Sequence, residues 1–336
     1  MDPGDGNFLT RPALRPGRLS FLITLLLVTA LASCNHRTRH VALPPIGSPP
    51  PVVNLPQPPK SEIAILFNGK EGYATVATEL KKILAGKPYN VVFLNIDTED
   101  PQRMVRSLSG KAGLVTVAVG LPAARFARDR LRGPMVFAQV FNYRELLIEG
   151  RTVRGVKAIP PLALQVRDWK KLDPKLRRVG LIVSERHEEL IREAEEAGQS
   201  ASVTIRHEVS SSDRETLYLF KRLAPQIDGL WLLPDDQILS PTVLRELMAY
   251  AEGHGVRVCA FSDALLPMGA LISASPPPAE IARTILRVLE GMAEGSSTPL
   301  PSMTSVPDML VRVNPEVAGR LGLKAPGESW TVRGSR

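Results

Sequence analysis

Cysteine is almost missing from these 336 residues, which hold only Cys34 and Cys259, and aromatic side chains make up 5%. So few thiols exclude a disulfide framework and thiolate metal clusters. Histidine is scarce as well: His36, His40, His187, His207 and His254 are the whole set, and tether, turn and surface positions suffice for all of them. There is no GxSxG elbow and no P-loop. The basic residues leave a formal charge of +8, yet they are scattered and carry no interleaved aromatics of a nucleic-acid surface. Catalysis, metal or cofactor chemistry and nucleic-acid binding are thus left without residues to carry them.

What is present begins with an apolar fraction of 44%, ample for a core in one large domain or two ordinary ones. The first residues do not belong to it. Arg11, Arg15 and Arg18 precede an apolar run at 19–31, too short to span a bilayer, which ends in Leu31, Ala32, Ser33 and Cys34. That tetrad resembles the lipobox of bacterial lipoprotein signal peptides, in which cleavage leaves an acylated N-terminal cysteine. Residues 1–33 are therefore expected to be a signal peptide and Cys34 the lipid attachment point. Cys259 would then be the one remaining thiol, and its apolar strand makes it a core residue. Residues 34–60 contain PPIGSPPPVVNLPQPP, which favours extended polyproline structure and reads as a tether holding a folded part away from a membrane.

The stretch 228–263 organises the rest. Gly229 to Leu233 reads as a buried strand, and Pro234, Asp235, Asp236 and Gln237 close it. Ser240 and Pro241 start a helix with Leu244, Leu247, Met248 and Ala251 on one face. A second apolar strand, 256–261, ends on Ser262 and Asp263. In an open parallel sheet, ligands bind beyond the carboxyl ends of the strands, which is where Asp235, Asp236, Ser262 and Asp263 fall.

The same alternation runs through the chain: strands at 62–67, 91–94, 113–119 and 135–138 with helices between them, then strands at 179–183 and 202–208 leading into the 228–263 unit. The pattern breaks at 143–160, and 151–161 is the first hinge candidate. Two such runs predict an α/β protein of two Rossmann-like lobes with parallel sheets. Late elements at 264–274, 279–292 and 309–314 allow several crossings between the lobes, as closure by hinge bending needs. The expected bounds are 61–158 plus about 265–300 for the N-terminal lobe, and 159–264 plus about 301–328 for the C-terminal lobe.

Residues 178–326 resemble the ABC-transporter substrate-binding proteins of the TrpX/TyrX-like group, lipoproteins with the type I periplasmic-binding fold and a multi-strand hinge. The likeness rests on 228–236 (DGLWLLPDD), on 256–263 with Gly269, Ala270 and Leu271, and on 313–326 (VNPEVAGRLGLKAP). In the first run, 120–124 (GLPAA) and 134–138 (PMVFA) resemble family segments. Where the family carries a Thr and a Ser near the hinge, this chain has Arg154 and Lys157.

The resemblance implies that a small molecule, an amino acid or related compound, is bound without chemical conversion, with no cofactor and no metal. It implies as partners an ABC permease and, through Cys34, a membrane on the periplasmic side of the cell envelope, inner or outer. A zwitterion needs donors for its carboxylate and acceptors for its ammonium. Backbone N–H groups at helix starts after Gly69, Gly120 and Ser184 would meet the carboxylate. Asp235, Asp236 or Asp263 would meet the ammonium. Asn68, Gln139 and Asn142 complete the expected lining, and Phe141 or Tyr73 would stack on the ligand. A strand-end carboxylate in a solvated cleft supports little packing, so Asp235→Ala is expected to leave stability almost unchanged. The alternative is an envelope lipoprotein that keeps the fold and acts as a scaffold or regulator of a protein partner.

Overall fold

The computed structural model describes residues 61–146, 152–293 and 301–334. Cys34 and the segments expected to be a signal peptide (1–33) and a tether (34–60) lie outside these residues. The first lobe holds β1 (Ser61–Phe67), α1 (Glu71–Leu84), β2 (Tyr89–Asn95), α2 (Pro101–Leu108), β3 (Val115–Val119), α3 (Leu121–Arg130), β4 (Met135–Ala138) and β5 (Val153–Val156). The chain continues through α4 (Leu162–Leu172), β6 (Arg178–Ser184), α5 (Glu189–Ser200), β7 (Thr204–Ser210), α6 (Asp213–Leu223), β8 (Gly229–Trp231), α7 (Pro241–Gly253), β9 (Arg257–Ala260) and β10 (Ile272–Ser275). It ends with α8 (Pro278–Ala293), β11 (Met303–Thr304), β12 (Met309–Val313), α9 (Pro315–Arg320) and β13 (Ser329–Val332).

Two sheets result. One has the order β11-β5-β4-β3-β1-β2, and the other β13-β12-β10-β9-β8-β6-β7. The first is parallel throughout, whereas β12 and β13 close the second as an antiparallel edge. Each sheet is apolar on both faces because helices cover both, as parallel sheets require. Ile63, Ile65, Val117 and Val119 pack under α1 and α8, while Ala64, Leu66 and Ala118 face α3. Trp169 and Trp231 fill one side of the second sheet, and Phe220, Leu247 and Met248 fill the other.

Helix starts were legible because the caps are local. Asp100, Ser212, Ser240 and Asn314 each accept a backbone N–H from the first turn that follows, and Pro101, Pro241 and Pro315 occupy first helical positions.

Several expectations are corrected. The irregular joint contains β5, a strand disguised by Arg154 and Gly155. A Cβ at Gly155 would run into the Phe137 ring and the Met303 sulfur, so only glycine lets β5 lie between β4 and β11. The strand expected at 229–233 stops at Trp231. Residues 265–275 do not return to the first lobe, because β10 pairs with β9 and β12. The return comes with α8, whose Ile281, Ala282 and Ile285 join the first core. Nor does everything after 301 belong to the second lobe, since β11 pairs with β5.

The chain therefore crosses between the sheets at 157–161, 276–277 and 305–308. The first crossing is tied to the second core. Gln165 donates from Nε2 to the Pro160 carbonyl at 2.8 Å and accepts from Trp231 Nε1 at 2.9 Å.

Candidate functional site

The carboxyl ends of β4, β6 and β8 meet where one side chain crosses between the lobes. Asn142, just past β4, points its amide nitrogen at Asp235 Oδ1, 3.2 Å away, and at the Asp236 carboxylate. Ionised carboxylates accept only, so the amide must present its N–H groups to them. Its oxygen then accepts from His187 Nε2 at 2.6 Å, which places the neutral ring's proton on that nitrogen.

Asp235 is 1% exposed. Its second oxygen accepts the Ser184 N–H at 3.1 Å, and Oδ1 also accepts the Gln237 N–H at 3.2 Å. This is not a solvated strand end, so the expectation that Asp235→Ala leaves stability unchanged is corrected: the carboxylate satisfies a buried backbone donor. Asp236 is exposed, and its charge together with burial raises the Tyr73 hydroxyl pKa, burial being the larger cause.

His187 was expected at a surface or turn position. It does sit in a tight turn, Glu185–His187, but is 2% exposed and packs on the Phe141 ring at 4.3 Å between centroids. Burial pushes its pKa below the ordinary value, with the Arg144 charge assisting and the Asp235 and Glu189 charges opposing. The sequence signal missed was its position three residues past a buried strand end. Around this knot Arg144 pairs with Glu189 at 3.0 Å, and Lys157 with Glu193 at 4.0 Å. Arg154 turns back to the Val153 carbonyl, 2.9 Å away.

The remaining expected residues divide. Asn68 and Ser184 are buried, and Asn68 Oδ1, Ser184 Oγ and Gln139 Oε1 have no hydrogen-bond partner. Gln139 also has a left-handed backbone, with φ 55°. The N–H groups of Gly69, Gly120 and Ser184 themselves are bonded, to Asp97 Oδ2 at 2.8 Å, to the Ala138 carbonyl at 2.9 Å and to Asp235, which leaves the helix-start N–H groups that follow these residues as the donors for a carboxylate. Gly120 has φ 87°, and a Cβ there would lie 2.7 Å from the Tyr73 ring. Tyr73 therefore roofs the start of α3. Ser262 caps a short turn through the Ala264 N–H, and Asp263 is held by the Ser273 hydroxyl and by Arg312 at 3.0 Å. Both serve the second lobe's own loop and do not join the Asn142 contact.

Beside this contact, Phe141, Tyr143, Ile159, His187, Leu190 and Met303 line a cavity of about 100 Å³ against the first crossing. Ligand pockets usually measure roughly 300–1,000 Å³, so a larger occupant requires the lobes to part or Asn142 to swing away.

No protein-family model matches the sequence, and no curated protein matches it. Solved structures do. A substrate binding protein with adhesive properties from Clostridium difficile, in a ligand-free, open structure, aligns with a TM-score of 0.60 at 15% identity, over 80% of this chain and 96% of that one. An ABC domain in complex with L-Trp from Streptococcus pneumonia aligns with a TM-score of 0.55 at 19% identity over the same shares. A conserved domain protein from Vibrio cholerae gives 0.55 at 15%, again over 80% and 96%. At these identities the likeness concerns architecture, and with the two sheets and three crossings it shows that the chain has the type I periplasmic-binding fold.

Proposed function

We propose that this protein is a lipid-anchored solute receptor that binds a small molecule between its lobes and presents it to an ABC permease, without converting it. The observation that carries the reading is the Asn142 contact. One side chain of the first lobe meets Asp235, Asp236 and His187 of the second at their strand ends, where a doubly wound sheet binds ligands. Buried, unpartnered oxygens on Asn68 and Ser184 support it, since such groups in a folded core need a partner. The L-Trp on one structural neighbour supports a small organic ligand. In this reading Cys34 carries the lipid, the tether spans part of the envelope, and the three crossings form the hinge.

A second reading is favoured by one feature. Asn142 ties the lobes directly, and the adjoining cavity of about 100 Å³ is small. A scaffold lipoprotein that keeps the fold but binds a protein would look this way. A thermal-shift screen of amino acids, amines, aromatic metabolites and nucleosides separates the two. A stabilising compound whose effect shrinks in Asp235→Ala supports the receptor. A broad screen without a hit, with a pull-down that recovers an envelope protein, supports the scaffold.

A further inference from the structure

We infer that acidification parts the two lobes, because His187 is a latch that the first lobe covers and that takes up a proton only when that cover lifts. No ligand is involved, so the latch goes beyond the receptor reading.

The geometry comes first. His187 stands on the second lobe, in the turn between β6 and α5, yet two groups that hide it come from the loop after β4 in the first lobe. The Phe141 ring lies on the imidazole at 4.3 Å between centroids, and the Asn142 oxygen accepts from Nε2 at 2.6 Å. With both in place the residue is 2% exposed. If the lobes part, Phe141 and Asn142 leave together and the ring meets water.

The other ring nitrogen sets the sign. An imidazolium gains a second N–H, on Nδ1, and the carboxylate oxygen facing it, Glu189 Oε1, is 3.7 Å away, beyond hydrogen-bond reach. Glu189 is exposed and gives its other oxygen to Arg144 at 3.0 Å. The Asp235 oxygens are taken by the Ser184 and Gln237 N–H groups and by the Asn142 amide, which also holds Asp236. Lys157 and Glu193, across the adjoining cavity, pair with each other at 4.0 Å. Burial is the largest influence and holds the ring's pKa below its ordinary value; the Arg144 charge assists, and the Asp235 and Glu189 charges oppose without cancelling it.

Linkage converts this into a population. With the lobes apart the ring titrates near 6.5, so about nine rings in ten are neutral at pH 7.5 and roughly one in eleven at pH 5.5. The closed form, which needs the neutral ring, therefore loses up to about tenfold against the open form over that range. Any ligand that needs the closed lobes would weaken by the same factor.

Spin labels at Gln102→Cys and Thr242→Cys, exposed on α2 and α7, report the separation of the lobes in the full chain carrying Cys34→Ser; Cys259 is buried and stays unlabelled. Without ligand, from pH 7.5 to pH 5.5, the distances measured by pulsed electron resonance should move reversibly toward the longer separation, the short-to-long ratio falling about tenfold. His187→Gln keeps an N–H for Asn142 but cannot become charged, and its distances should stay put. A wild-type distribution that ignores pH, or an equal shift in His187→Gln, overturns the inference. Histidine titration by NMR is the second measure. The His187 pKa should rise in Phe141→Ala, which strips the first lobe's cover from the ring; the same value in both proteins overturns the inference even if the distances move. Neither measurement uses a ligand, so either failure leaves the receptor reading standing.

Discussion

Replacing Asp235 by alanine removes a carboxylate with three donors on it. The Gln237 N–H belongs to an exposed residue and can turn to water, and the Asn142 amide keeps Asp236. The Ser184 N–H has neither option, because Ser184 is 3% exposed and its N–H is bonded to Asp235. Stranding one buried donor costs about 1–3 kcal/mol. For a folded part of this size that corresponds to a melting point lower by roughly 2–10 °C. Thermal denaturation followed by circular dichroism, without added ligand, reads it directly. Asp236→Ala is the control: the side chain is exposed and should move stability by no more than about 0.5 kcal/mol. Equal melting points for wild type and Asp235→Ala would refute the claim that this carboxylate anchors the β6 end.

Three further outcomes are expected. The folded-state pKa of His187 lies below 6.5, so as pH falls through 6.5 the unfolded chain takes up a proton that the native ring resists, and stability drops. Urea midpoints measured from pH 7.5 down to pH 5.5 should fall less in His187→Gln than in wild type; equal slopes would contradict this. Gly229→Ala places a Cβ 2.6 Å from the Trp169 ring and should destabilise by about 1–3 kcal/mol, whereas Gly253→Ala meets nothing and should not; similar midpoints for both would count against the packing. Cys34→Ser should move the protein from the membrane to the soluble fraction, and a variant that stays with the membrane contradicts the anchor.

Much of the architecture could be read from residue order, because its determinants are local. Apolar runs of strand length, Ser240 before Pro241 and Asn314 before Pro315 act within a few residues. What escaped was set by distant partners. β5 looks polar and breaks at Gly155, yet pairs on both sides once β11 returns 147 residues later than Val156. Asp235 and Asp263 look alike at two strand ends, but one reaches the opposite lobe and the other turns to Arg312, 49 positions on. Burial of His187 depends on Phe141 from the other lobe, and the only local sign of it is its position three residues past the end of β6. The spent N–H groups of Gly69 and Gly120 were hidden for the same reason, since their acceptors, Asp97 and the Ala138 carbonyl, come from other elements.

Hydrogen exchange read by mass spectrometry, on the full chain with and without the stabilising compound from the screen, tests the central claim most directly. The account predicts added protection in both lobes together, at the carboxyl ends of β1, β4, β6 and β8 and just beyond them, where Asn68, Gln139, Asn142, Ser184, His187 and Asp235 lie. Protection confined to one lobe, or lying away from these strand ends, would contradict a ligand site between the lobes.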